Sequence, residues 1–330
     1  MKDSSCVSCG DAGVLATNTN HSCSQCGGDR LFGFVPEDVA AILPGEAGDF
    51  ARQLVRLALD EDGSDLTSLG IFAPEAESVA HIVAKQDSLL AGLPLISLVL
   101  AEMGMDRPCS CWEALTPEAS IVAKGTNLAR LWGPTCVLLK AERVILNLIT
   151  HLSGIANLTR RYVDELEGTG VRLLDTRKTL PGQRYLEKYA VRVGGGCNHR
   201  MNLAEMLMLK DNHIDAAGSI TAAVAALRAR YEPCPPIEVE CRTAQEVEEA
   251  VAARPERILL DNMNAVQLSK VLPLIPLCIE AEISGGVELD NIRELALASS
   301  ARPADFISVG RITHSAPVAD FSMKIECRIG

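Results

Sequence analysis

"VRLLDTRKTLPGQRYLEKYAVRVGGGCNHRMNLAEMLMLKDN", residues 171–212, carries the pattern that decides the fold. A short apolar run ends at Asp175, a segment opening at Pro181 has the spacing of an amphipathic helix, and a second apolar run ends at Lys210. Strand, helix, strand is a βα unit with room for a crossover. The same rhythm continues through "PPIEVEC", "RILLDNM", "CIEAEISGG" and "DFISVGR". Successive run ends at Asp175, Lys210, Glu240, Asp261, Ser284 and Gly310 lie 21 to 35 residues apart. Chemically able residues gathered at strand C-termini are what an α/β barrel presents on its active face. A flat doubly wound sheet is the alternative, but it concentrates ligand groups at one switch point rather than at six strand ends. The spacing therefore predicts an α/β barrel.

The same stretch is electrostatically unlike its surroundings. The chain carries 31 Lys plus Arg against 43 Asp plus Glu, a net charge of -12. Between Arg172 and Lys210 the balance reverses, with eight Lys or Arg against Asp175, Glu187 and Glu205. An acidic chain with a pI near 5.1 is a poor partner for nucleic acid or an anionic membrane, so the local surplus is expected to serve a small anion. At 330 residues and 48% hydrophobic, the chain can bury a sizeable core. With no basic and apolar leader at its start and no long apolar run, a cytoplasmic protein is expected.

Working outward, "VPEDVAAIL" and "GDFARQLVRLALDED" have helical spacing. From "DGSDLTSLG" to "NLARLWG" short alternating strands and turns are expected, making an α+β domain over 31–135. A long helix, "CVLLKAERVILNLITHLSGIANLTRRYVDEL", then leads into a catalytic domain at 136–311, with 312–330 rejoining the first domain. Residues 1–30 differ from both, being polar and rich in Ser, Asn and Gly. They hold Cys6-x2-Cys9 and Cys23-x2-Cys26, each pair followed by Gly. Two such turns can place four thiolates around a tetrahedral Zn²⁺, so a structural zinc ribbon is expected there, with His21 as a substitute ligand.

Arg177 and Lys178 stand just past a strand, His199 and Arg200 follow the turn Gly194–Gly196, and Lys210 ends the next strand. Arg forks grip carboxylates or phosphates and Lys supplies a point charge. Arg184, Lys188 and Arg192 lie on the helical segment and are expected to be solvated surface charges. Glu240 and Asp261 close apolar strands, where a charge needs a partner or a ligand. They suit Mg²⁺, ribose hydroxyls, or salt bridges to the nearby cations. The glycine turns Ser284-Gly285-Gly286 and Gly310, after the last two strands, sit where barrels hold a phosphate.

Beyond these readings, "ALDEDGSDLTS", "LLKAERVILNLITHLSGIA", "LDTRKTLPGQRYLEKYAVRVGGGCNHR", "MLKDNHI", "IEVE", "ILLDNM", "AEISGGV" and "ISVGRITHS" resemble the quinolinate phosphoribosyltransferase family, in family order from about residue 36 onward. The resemblance implies an α+β domain packed on an incomplete α/β barrel of the type II phosphoribosyltransferase kind, assembled as a head-to-tail homodimer. It implies transfer from phosphoribosyl pyrophosphate to quinolinate with Mg²⁺, giving nicotinate mononucleotide, CO₂ and pyrophosphate. On these positions it assigns quinolinate to Arg177, His199, Arg200 and Lys210, with Arg143 reaching in from the partner subunit. Lys178, Glu240 and Asp261 are similar to the family's ribose and pyrophosphate contacts, and Ser284, Gly285, Gly286 and Gly310 to its phosphate turns. Three features depart from the family pattern: the cysteine segment, Arg311 where a small residue is common, and Asn157 where Thr is common. A transferase of the molybdenum-transport-associated branch and a catalytically silent zinc-ribbon regulator are the rival readings.

Overall fold

The computed structural model describes residues 39–105 and 111–327, so the proposed zinc ribbon lies outside the described residues. The first half opens with helices α1 (Val39–Ile42), α2 (Glu46–Asp62) and α3 (Leu66–Ile71). In α2, Ala51, Val55 and Leu59 fall four apart and are buried, and the helix stops at Gly63 with φ +64. At α3 the structure differs from the expected strands and turns. Asp65 accepts the Ser68 amide at 3.0 Å, and that cap turns a polar stretch into a helix.

Then follow β1 (Glu77–Ala84), β2 (Ser88–Leu89), α4 (Leu95–Glu102), β3 (Trp112–Ala114), β4 (Ile121–Val122) and β5 (Asn127–Pro134). Every second residue of β1 is buried, Ser78, Ala80, Ile82 and Ala84, so one sheet face meets the helices. The 31-residue α5 (Thr135–Glu165) leads from this half into the next.

The second half alternates strand and helix. It runs β6 (Arg172–Leu174), α6 (Arg184–Val193), β7 (Leu207–Leu209), α7 (Asp211–Ala217), α8 (Ile220–Arg230), β8 (Ile237–Cys241) and α9 (Ala244–Ala253). It continues with β9 (Arg257–Asp261), α10 (Ala265–Val271), β10 (Glu280–Ser284), α11 (Ile292–Ala296), β11 (Phe306–Ser308) and α12 (Arg311–His314). The last strand, β12 (Phe321–Cys327), returns to pair antiparallel with β1, giving a four-stranded sheet in the order β12-β1-β5-β3. Gly154 of α5 makes the return possible: a Cβ there would collide with the Pro317 carbonyl, and the Ala319 amide donates to Thr150 O at 2.9 Å.

The other sheet has six parallel strands in the order β6-β11-β10-β9-β8-β7. Strands β7 to β11 are sequential neighbours and β6 closes on β11, which leaves β6 and β7 as the two edges of an open barrel. The segment after α6 lies against the β6 edge. Leu174 and Cys197 form a parallel bridge, with Cys197 N–H donating to Leu173 O at 2.8 Å.

Lys188 departs from expectation: it is fully buried rather than solvated. Its ammonium pairs with Asp175 and donates to His199 O at 2.7 Å. The physical reason is that α6 packs against α5, α2 and α12 and turns Lys188 to Asp175 just past β6, so most of it has no solvent face. Arg184 is half-buried, reaching Thr179 Oγ1 and Met201 O, whereas Arg192 is exposed as expected.

Candidate active site

Parallel strands put all six C-terminal ends on one rim, and contacts tie neighbouring ends together. Lys210 Nζ donates to Glu240 Oε2 at 3.0 Å, linking β7 to β8. Asn262, next to Asp261 and at φ +55, donates its amide to Ser284 O at 2.8 Å, linking β9 to β10. Ser308 Oγ donates to Ser284 Oγ at 2.9 Å, linking β11 to β10. The Lys178 side chain lies over Gly310, where a Cβ would sit 2.9 Å from Lys178 Cδ, and Thr313 Oγ1 donates to Lys178 O. The rim thus brings together Lys178, Lys210, Glu240, Asp261, Ser284, Gly285, Gly286 and Gly310.

The glycine turn after β10 packs tightly against Asn262. Gly285 has φ +83, and a Cβ there would fall within contact distance of Asn262 Oδ1 and 2.9 Å from its amide nitrogen. Thr176 Oγ1 accepts the Lys178 amide at 2.9 Å, and His314 Nε2 lies beside Gly310, so Thr176, Asn262, Ser308 and His314 join the rim. The sequence reading missed these four. Three of them directly neighbour a residue it chose or lie two away, which was the available signal. Arg311 is exposed and pairs with Glu288, just past the Gly285-Gly286 turn.

Two guanidinium groups, of Arg177 and Arg200, lie close enough to repel one another. Arg200 is buried, donating from Nη1 to Met206 O at 2.7 Å and from Nη2 towards Met208 Sδ at 3.6 Å. Burial, and then the positive charge of Arg177, hold its pKa below the usual value. Arg177 Nε is buried with no hydrogen-bond partner. Two guanidinium groups that repel one another, one with an unused donor, make a pair that an anion would stabilise.

His199, next to Arg200 in the chain, turns both ring nitrogens to the protein. Nδ1 accepts the Arg200 amide at 2.7 Å, while Nε2 lies 3.1 Å from Glu238 Oε2 and 3.5 Å from Glu282 Oε2, aligned with neither. Burial foremost lowers its pKa. Glu238 and Glu282 are fully buried, and burial together with the Glu238 charge pushes Glu282 up to about 7. Neither stands out in the sequence, because each lies inside an apolar run rather than at its end. Period two supplies the missing signal: Glu238 lies two before Glu240, and Glu282 two before Ser284. Arg257 on β9 reaches Glu280 at 2.7 Å and Glu282 at 3.2 Å.

Glu240 and Asp261 each accept a protein hydrogen bond, from Lys210 and from Asn262 Nδ2 respectively. Their hard oxygens suit ribose hydroxyls or the waters around a Mg²⁺ held by a substrate. His213 of "KDNH" caps α7 by accepting the Lys210 amide at 3.0 Å, which fixes the backbone of that lysine. Arg143 occupies an exposed position on α5. Asn157 ties α5 to β2, accepting the Leu89 amide at 2.7 Å and donating to Ser88 Oγ.

Comparison with known proteins gives a consistent answer. The family model for the quinolinate phosphoribosyl transferase C-terminal domain matches residues 155–324, and that for the N-terminal domain matches 65–153. A probable nicotinate-nucleotide pyrophosphorylase (carboxylating) of Bacillus subtilis is 40% identical over 79% of this chain and 88% of its own. The nicotinate-nucleotide pyrophosphorylase (carboxylating) of Mycobacterium leprae is 36% identical over 84% of this chain and 98% of its own. Among solved structures, the nicotinate-nucleotide pyrophosphorylase of Francisella tularensis superposes with a TM-score of 0.77 at 30% identity, over 90% of this chain and 99% of that one.

Proposed function

Because the chain belongs to the quinolinate phosphoribosyltransferase family, we propose that it joins quinolinate to phosphoribosyl pyrophosphate, yielding nicotinate mononucleotide, CO₂ and pyrophosphate for NAD biosynthesis. The observation that carries the reading is the Arg177–Arg200 pair of mutually repelling guanidinium groups, with an unpartnered buried Nε, on a fold whose six parallel strands end in glycine turns and carboxylates. Such a site suits two anions at once.

In this reading Arg177, Arg200 and Lys210 hold the two carboxylates, with His199 beside Arg200. Arg143 of a second copy would add a further cation, which requires a homodimer. Glu240 and Asp261 face the ribose, and Lys178 faces the pyrophosphate. The turns at Ser284, Gly285, Gly286 and Gly310 receive the 5′-phosphate on backbone amides. Mg²⁺, when bound to the pyrophosphate, would neutralise charge developing on the leaving group.

The pyridine nitrogen attacks the anomeric carbon as the bond to pyrophosphate breaks, and Lys178 balances the departing charge. The nitrogen then carries positive charge. The bond from the neighbouring carbon to its carboxylate breaks, CO₂ leaves, and the electron pair stays on the ring carbon until a proton arrives. The side chains position and stabilise, and none needs to be a nucleophile. Cys6, Cys9, Cys23 and Cys26 are proposed to hold a structural Zn²⁺, a reading supported by their spacing and tested by metal analysis with and without residues 1–30.

The test is product formation from purified protein, phosphoribosyl pyrophosphate, Mg²⁺ and either quinolinate or nicotinate. Nicotinate mononucleotide is expected from quinolinate, with nicotinate a far poorer substrate. Equal use of both would contradict a pocket built for a diacid.

A further inference from the structure

Beneath Arg200, the interior of the barrel is charged rather than apolar. Glu238 of β8, Arg257 of β9, Glu282 of β10 and His199 meet there, each at least nine-tenths buried. One ligand atom from each of His199, Glu238 and Glu282 lies within 4.8 Å of the others. His199 Nε2, both Glu238 oxygens and Glu282 Oε1 have no aligned hydrogen-bond partner. Four such atoms in one buried spot need something between them.

A metal ion is the first candidate, and the histidine argues against it. Nδ1 accepts the Arg200 N–H at 2.7 Å, so a neutral imidazole carries its proton on Nε2, the atom that would have to ligate. Arg257 already supplies a cation at 3.2 Å from Glu282. A proton serves better. Two buried carboxylates with oxygens within 4.8 Å of one another favour holding one proton between them. With Arg257 positive and His199 neutral, this four-member cluster then carries no net charge. The shared proton supplies the donor that the carboxylate oxygens lack, and Nε2 lies nearest Glu238 Oε2, at 3.1 Å.

We infer that Glu238 and Glu282 are a proton-sharing positioning pair that fixes His199 as the Nε2–H tautomer and, through its Nδ1, holds Arg200 aimed into the diacid site. The coupling is short. The same histidine is anchored at its N–H by Asp175, 2.8 Å away, and at its carbonyl by Lys188, so the ring is the free variable and the pair sets it. Neighbouring charges that face the cluster are Arg200, Glu280, Asp175 and Lys188, and Ser308 reaches Glu282 from β11. The inference rests on the proposed reaction for its kinetic readout, but not for its spectroscopic one.

The experiment uses the full chain. Long-range ¹⁵N–¹H spectra of the histidine rings, assigned with His199→Asn, are expected to show His199 protonated on Nε2 and free of metal. Glu282→Gln, whose amide can stand in for a protonated carboxyl, is expected to keep that tautomer and a quinolinate KM within about threefold of the parent. Glu282→Leu is expected to raise quinolinate KM by tenfold or more while leaving the KM for phosphoribosyl pyrophosphate unchanged. An Nδ1–H or metal-bound ring would overturn the inference, as would equal shifts in both KM values, or Gln and Leu behaving alike. Should Glu282→Leu not fold, Glu238→Gln with the same spectra decides. If the parent protein turned over no quinolinate, the proposed reaction would fail while the tautomer still tested the pair.

Discussion

Lys210 and Glu240, thirty residues apart in sequence, meet at 3.0 Å where β7 and β8 end. The lysine side chain is about half exposed, so the pair adds little to stability, on the order of 0–1 kcal/mol. Its position on the rim is expected to matter far more for turnover. Lys210→Ala should lower kcat/KM for quinolinate by about 100-fold, on the order of a lost charge contact in the transition state, with an unchanged unfolding midpoint. Steady-state kinetics beside thermal melts check this, and a melt lowered by many degrees with intact kinetics would refute it.

Arg177 presents the opposite balance. Its charge opposes that of Arg200, and its buried Nε lacks a partner. Arg177→Ala should therefore cost no stability, or add some, while weakening quinolinate binding at least tenfold. Calorimetric titration and denaturant unfolding on the same variant separate the two effects.

The Asp175–Lys188 pair is wholly buried and sits against the open edge of the barrel. Lys188→Met leaves an uncompensated carboxylate inside and should cost about 3–5 kcal/mol, whereas Asp175→Asn with Lys188→Met should recover part of that. Urea unfolding of both variants gives the comparison. A loss under about 1 kcal/mol for Lys188→Met would contradict the role assigned to the pair.

Glu282 gives a pH dependence with a definite sign. Its folded pKa is about 7 against an ordinary 4.5, so the folded state binds the proton more tightly. The resulting stability is fully present below about pH 4.5 and is lost as pH rises through about 7. Each tenfold gain in proton affinity is worth roughly 1.4 kcal/mol. Relative to Glu282→Gln, the parent should therefore lose up to about 3 kcal/mol between pH 4.5 and about 8. Unfolding free energies across that range for both proteins check it, and parallel curves would contradict it.

Much of this architecture was legible in the sequence because strand ends leave a periodic trace. Asp175, Lys210, Glu240, Asp261, Ser284 and Gly310 each close an apolar run, and parallel pairing then carries all six to one rim. Interior charges leave a weaker trace. Glu238 and Glu282 sit inside runs that read as apolar strands, and only the two-residue repeat of the lumen face reveals them. Lys188 was hidden for a different reason: helical periodicity shows which residues face a core, but not that α6 has layers on several sides. His199 stands beside Arg200 in the sequence, which does not show that its Nδ1 accepts the Arg200 amide or that its Nε2 lies beside Glu238.

One site is expected to activate the pyridine nitrogen and thereby release the adjacent carboxylate. The direct measurement is a single-turnover reaction with quinolinate labelled in the carboxylate next to the nitrogen, with pyrophosphate followed in parallel. Labelled CO₂ is expected in a one-to-one ratio with pyrophosphate, only when phosphoribosyl pyrophosphate is present, and is expected to fall sharply in Arg200→Ala. Label retained in the product, or CO₂ released without the sugar donor, would contradict it.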